Sequence, residues 1–149
     1  MRIEDIVVNT LIRNQEEALF SGDFLRKTAS PIVTTGNELA KEQIADFSRR
    51  LNIAALYDYA QAVRESTDQW LRSIRYEDLK RRFSDGDRER IKELGVVSAD
   101  ESAFWLIDYW CGKDVAGLLK MPLSRHWIMH IEAAERIIGK ITNKGNSHE

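Results

Sequence analysis

Histidine is absent from the first 125 residues of this 149-residue chain, and cysteine occurs once, as Cys111. A lone thiol excludes an internal disulfide framework and fits a reducing compartment. Proline occurs twice and glycine eight times, so helix breakers are scarce. No apolar run approaches the roughly 20 residues of a membrane span. The N-terminus also lacks the basic, apolar, then small-residue order of a signal peptide. A soluble cytoplasmic protein without a membrane partner is therefore the expectation. Charge of one sign is missing too: 22 basic and 24 acidic residues leave a net −2. Gripping a phosphate backbone requires a basic excess, which argues against nucleic acid as a partner.

What is present favours helices. Ala, Leu, Ile, Glu, Arg and Lys dominate between the few breakers, which makes all-α the expected class. The length suits one core, so residues 1–141 read as a single domain and 142–149 as a polar tail. An incomplete stripe of Ile3, Ile6, Val7, Leu11, Ala18 and Leu19 predicts a first helix ending at Ser21-Gly22-Asp23. Phe24 to Gly36 carries turn chemistry and reads as a connector. Asn37 is positioned to cap a second helix with the stripe Ala40, Ile44, Phe47, Leu51. A break at Arg50 to Asn52 then shifts the phase to Ile53, Leu56, Tyr57, Ala60, Val63, Thr67, Trp70 and Leu71 on a long helix. Arg72 to Leu94 is dense in charge and reads as a solvated face with a short helix over 87–94. Ser98 and Glu101 have the spacing of a capping box before Phe104, Trp105, Ile107, Tyr109 and Trp110. That helix loosens near Gly112, and Pro122 suits the first turn of the last one.

The last helix carries the chemistry. Leu123, Trp127, Ile131, Ala134, Ile138 and Ile141 form its apolar stripe, with His126 and His130 beside it, so both imidazoles are expected to face inward. Residues four apart on a helix are neighbours, and two such histidines can aim ring nitrogens at one metal ion. The alternative is a pair of core histidines hydrogen-bonded to their surroundings. Burial of two imidazoles requires partners for four ring nitrogens, and one ion satisfies two of them.

The long helix from Leu51 to Leu71, the following Tyr76-Glu77-Asp78-Leu79, and the closing Met121-Pro122-Leu123-Ser124-Arg125-His126 with His130 together resemble the DinB/YfiT-like superfamily. The resemblance covers roughly the C-terminal two-thirds of the chain and rests on the order of the motifs. It implies an up-down four-helix bundle with additional short helices, and often a homodimer. In its metal-binding members three histidines hold one divalent ion, zinc, nickel or iron, one of them from an earlier helix. Characterised members include transferases and isomerases that use a low-molecular-weight thiol. Aligned with that earlier helix, Ile6 to Leu11 puts Asn9 where the family carries its first histidine. Asparagine is a poor ligand for zinc or nickel.

Asp46, Asp58, Asp108 and Cys111 have the chemistry to complete such a site, but each has an ordinary reading. Asp46 and Asp58 are expected in solvent, Asp108 paired with Arg125 or another base, and Cys111 as a small buried residue. Glu132 and Glu135 lie on the far side of the last helix. Trp105, Tyr109 and Trp110 could line a ligand cavity, though aromatic stripes are more often core. Trp127 is expected between helices or at a dimer face. Two functions follow: a metal-dependent enzyme acting on a small-molecule or thiol substrate, or a non-catalytic dimeric binding module that holds no ion.

Overall fold

In the computed structural model, residues 1–145 are described and every regular element among them is helical. The chain is built around its first helix. α1 runs as an α-helix over Arg2–Asp5 and continues in the wider π geometry over Ile6–Ile12, where Arg13 N–H reaches back five residues to the Val8 carbonyl at 3.1 Å. All residues from Ile3 to Leu11 are buried. A helix buried on every side is a core element rather than a surface one. It ends before the expected Ser21, because Asn14 adopts a left-handed φ of 54° and Gln15 N–H closes onto the Asn9 carbonyl at 2.8 Å. Asparagine tolerates that conformation better than most residues.

Among the described residues eight further α-helices follow it: α2 (Ala18–Ser21), α3 (Phe24–Lys27), α4 (Lys41–Arg50), α5 (Ile53–Leu71), α6 (Asp85–Glu93), α7 (Trp105–Cys111), α8 (Val115–Leu119) and α9 (His126–Gly145). One face of α1 packs Ile3, Ile6, Val7 and Leu11 against Ile91 of α6 and Ile107 and Trp110 of α7. A second cluster joins Leu19 of α2 to Tyr59 and Val63 of α5. A third places Val8 against Val115 and Leu119 of α8. Trp110 is fully buried with its indole N–H unpartnered.

Polar groups tie these clusters together. The Asp5 carboxylate, 0% exposed, accepts hydrogen bonds from Asn9 Nδ2 at 2.7 Å, from the Ala18 and Leu19 backbone N–H at 2.9 and 3.0 Å, and from the Tyr59 hydroxyl at 2.7 Å. It thereby caps α2 from a distance and pins α5 to α1. Arg2 stands 3.6 Å from Asp5, donates to Tyr59 at 3.2 Å and pairs with Glu17. Its remaining donors reach the Val33 and Thr34 carbonyls and so hold the connector. At the other end of α1, Arg90 donates to the Thr10 and Leu11 carbonyls at 2.9 and 3.3 Å and Arg81 to that of Ile12 at 2.5 Å. These cations satisfy carbonyls that a helix end leaves free. The charged stretch is therefore only partly a solvated face.

Other expectations shift locally. α4 starts at Lys41 with Ala40 before it, not at Asn37, because a turn closed by Leu39 N–H on the Gly36 carbonyl occupies those residues. α5 does begin after a break at Leu51-Asn52, with Asn52 as its side-chain cap. Its buried face is Ala55, Tyr59, Val63 and Thr67, while Tyr57 is 74% exposed. The Tyr59 hydroxyl finds two buried partners, and that rotates the helix away from the apolar count. Ser98 does not cap an α-helix; Asp100 caps a short 3₁₀ turn over Glu101–Ala103, and α7 follows. The expected tail is helical as far as Gly145, and His148 lies outside the described residues.

Removing one partner of a buried ion pair costs about 3–5 kcal/mol, so Asp5→Ala is expected to destabilise the fold by that amount in urea unfolding. A loss below about 1 kcal/mol would mean that α1 and α2 are held by packing alone. Burial, and next the charge of Asp5, raise the Tyr59 pKa. Stability from the neutral phenol is thus present below the ordinary tyrosine pKa of about 10 and lost as pH rises above it. Tyr59→Phe should flatten that alkaline decline, and an unchanged slope would dissociate it from Tyr59.

Candidate functional site

α9 leaves the body of the protein through a turn of π geometry, Met121–Arg125, in which Pro122 is buried at the second position and Arg125 N–H reaches the Lys120 carbonyl at 3.3 Å. Its main packing is against that turn. His126 and His130 project from its first two turns with Nε2 atoms 3.0 Å apart, ring centroids 4.3 Å apart and planes at 87°. The structure thus brings the two imidazoles together as the spacing predicted. Their setting differs: His126 is half-buried and His130 exposed, so the pair faces outward rather than into a bundle core. Desolvation, then the proximity of His130, lowers the His126 pKa.

The rest of the α9 stripe is exposed as well. Trp127, Ile131, Ile137, Ile138 and Ile141 retain 42–67% of their surface. At the base of the helix, Leu123 and Trp127 form one side of a groove of about 840 Å³ whose other side is Tyr57, Ala60, Arg64 and Leu71 of α5. Buried Glu4 and Thr67 line it too, and the Thr67 hydroxyl has no hydrogen-bond partner.

Asn9 stands in a different environment. It is 2% exposed within α1, donates to Asp5, and accepts from Arg13 Nη1 at 2.6 Å and Ser66 Oγ at 2.9 Å. Both ends of its amide are engaged, which leaves it a structural residue rather than a third donor for the histidine pair. Among the described residues no group of three or more His, Cys, Asp or Glu is arranged to hold a metal ion.

The other candidates take ordinary places. Asp46 is exposed and pairs with Arg49 at 2.5 Å, and Asp58 is exposed. Asp108 pairs with Arg88, not with Arg125. Cys111 is buried, and desolvation raises its thiol pKa, the opposite of a reactive thiolate. Glu132 and Glu135 are exposed. The aromatic cavity does not form: Trp110 enters the core, while Trp105 and Tyr109 lie on the surface, edge to face at 6.4 Å. Asp5, Arg2, Glu17 and Tyr59 were not singled out in the sequence. The hint was one base and two acids, Arg2, Glu4 and Asp5, inside an otherwise apolar opening stretch.

Compared with protein-family models, curated proteins and solved structures, the chain matches none.

A lowered His126 pKa favours the neutral ring in the folded state, so its contribution to stability is present above the ordinary value of 6.5 and lost as pH falls through the folded value. An NMR titration of the His126 ring should give a midpoint below 6.5. A midpoint at or above that value would mean that solvent, not desolvation, governs this ring.

Proposed function

We propose that this protein is a DinB-like helical domain whose last helix carries an open, two-histidine site for a divalent metal ion. The observation that carries the reading is the convergence of His126 and His130 at 3.0 Å between Nε2 atoms. With metal–nitrogen bonds of about 2.0–2.1 Å, two adjacent imidazoles sit about 2.9 Å apart in octahedral and about 3.3 Å apart in tetrahedral coordination. The observed separation falls in that range. The lowered His126 pKa supports it, because only the neutral ring ligates.

The donor set fits two ligands from the chain and not the family's three, since Asn9 is engaged elsewhere. Zinc or nickel suits imidazole, iron less so without a carboxylate. When bound, such an ion supplies Lewis acidity toward a thiol or a water. His126 and His130 would hold it on the same helix as Trp127, whose side chain lines the groove, and a small-molecule or thiol substrate would be the ligand to complete it.

A second reading has its own observation. The stripe on α9 is covered by none of the described residues beyond its base, and it favours a dimeric binding module in which no ion is needed.

Protein prepared without a histidine tag is expected to carry, or to take up in calorimetry, about one zinc or nickel ion per chain. His126→Ala with His130→Ala should weaken uptake at least about 100-fold, since two coordinate bonds are removed. Absence of binding, with a thermal midpoint indifferent to chelator and to added ion, would leave the binding-module reading alone.

A further inference from the structure

The polar framework around Asp5 leaves out the residue before it. Glu4 is 7% exposed, yet among the described residues its carboxylate takes part in no hydrogen bond and no ion pair. The neighbouring cation, Arg2, is committed to Asp5 and Glu17. Glu4 lines the groove of about 840 Å³ between α5 and the entry to α9, and Thr67, 3% exposed with an unpartnered hydroxyl, lines the same space. Buried polar groups ordinarily have partners, and a carboxylate without one is costly. Two such groups, one from α1 and one from α5, on a single groove are polar positions kept for a ligand from outside the chain.

The lining defines that ligand. Leu71 and Leu123 are apolar, and Tyr57 and Trp127 supply aromatic surface on the two sides, which suits an apolar body and a positive charge. Glu65 and Asp68 of α5 also line the groove from exposed positions, against one side-chain base, Arg64, so the side chains present a net negative charge. Gln61 donates to Glu65 at 2.8 Å. Neither Arg64 nor the Met1 amino group forms an ion pair with Glu4, and burial lowers the pKa of that amine, which weakens it as a fixed counter-charge. The volume lies within the roughly 300–1,000 Å³ of small-molecule sites.

We propose that this groove binds a small organic amine, a protonated ammonium group on an apolar or aromatic body, with the Glu4 carboxylate and the Thr67 hydroxyl accepting hydrogen bonds from the ammonium. Tyr57 and Trp127 then flank the body of the ligand. The site uses neither His126 nor His130 and stands whether or not an ion binds that pair.

The probe is phenethylamine, with 2-phenylethanol as its neutral and 3-phenylpropionate as its anionic counterpart. Each is titrated into the full-length chain in EDTA, so that coordination of the amine to an ion at the histidine pair contributes nothing. Amide and indole NMR shifts are expected to move at Tyr57, Thr67 and Trp127. The amine should bind at least about 10-fold more tightly than the alcohol, through a charge-assisted hydrogen bond, and the anion should bind most weakly. Glu4→Gln should bring the amine down to the affinity of the alcohol while the thermal midpoint holds or rises, because an unpaired buried charge is removed. A residue that only supported the fold would lower that midpoint. An amine that binds no better than the alcohol, shifts confined to other residues, or an affinity that survives Glu4→Gln would each overturn the proposal. Should Glu4→Gln fail to fold, the ranking of the three probes on the unaltered chain decides the matter. The metal reading is judged by ion uptake and is untouched by either result.

Discussion

The structure depends on one carboxylate being acceptable where water is absent. Asp5 sits at the centre of a helix buried on all sides, and four donors from α1, α2 and α5 converge on it, with the Arg2 guanidinium alongside. A charge in that position is tolerable only when its lone pairs are filled. The filling fixes the rest: the two N–H groups orient α2, the Tyr59 hydroxyl sets the rotation of α5, and Arg2 fastens the connector through two carbonyls. Arg90 and Arg81 serve the far end of the same helix. The body of the protein is thus a polar framework threaded through three apolar clusters; α1 contributes side chains to two of them and is tied to the third through Asp5.

α9 presents the reverse situation. α1 buries polar groups, whereas α9 exposes isoleucines and a tryptophan, and both departures from ordinary partition need an explanation. For α1 it lies within the chain, in the hydrogen bonds just described. For α9 the described residues supply nothing comparable, and an apolar face of this size on a helix of 20 residues is free energy available to association. The histidines share that exposed helix. Their Nε2 atoms lie at hydrogen-bond distance from each other, and outside a core that contact can be exchanged for a ligand.

The DinB-like reading and the geometry meet on His126 and His130 and part at Asn9. A third histidine from the early helix would have to emerge where Asp5, Arg13 and Ser66 already hold an amide. Any ion at the pair would therefore keep more open positions than a three-ligand centre, and its affinity would rest on two imidazoles and whatever substrate or solvent completes it.

Local chemistry made several elements legible without coordinates. The break before Ile53, the loosening at Gly112 and the proline entry to the last helix are consequences of caps and breakers acting over a few residues. The i, i+4 approach of the two histidines is likewise a property of helix geometry alone. Which face a helix buries was decided elsewhere. Tyr59 is interior because Asp5, 54 residues away, accepts its hydrogen bond; Arg90 is a helix cap because the end of α1 lies beside it, some 80 residues off. The stripe on α9 reads in sequence as a core face, since periodicity reports amphipathicity and is blind to whether a partner exists in the same chain. Amphipathic pattern, helix ends and side-chain spacing were determined by the sequence, because their energies are local. Burial, pairing and the outward setting of the histidines were decided by the tertiary structure, because a buried charge is acceptable only where distant donors converge on it.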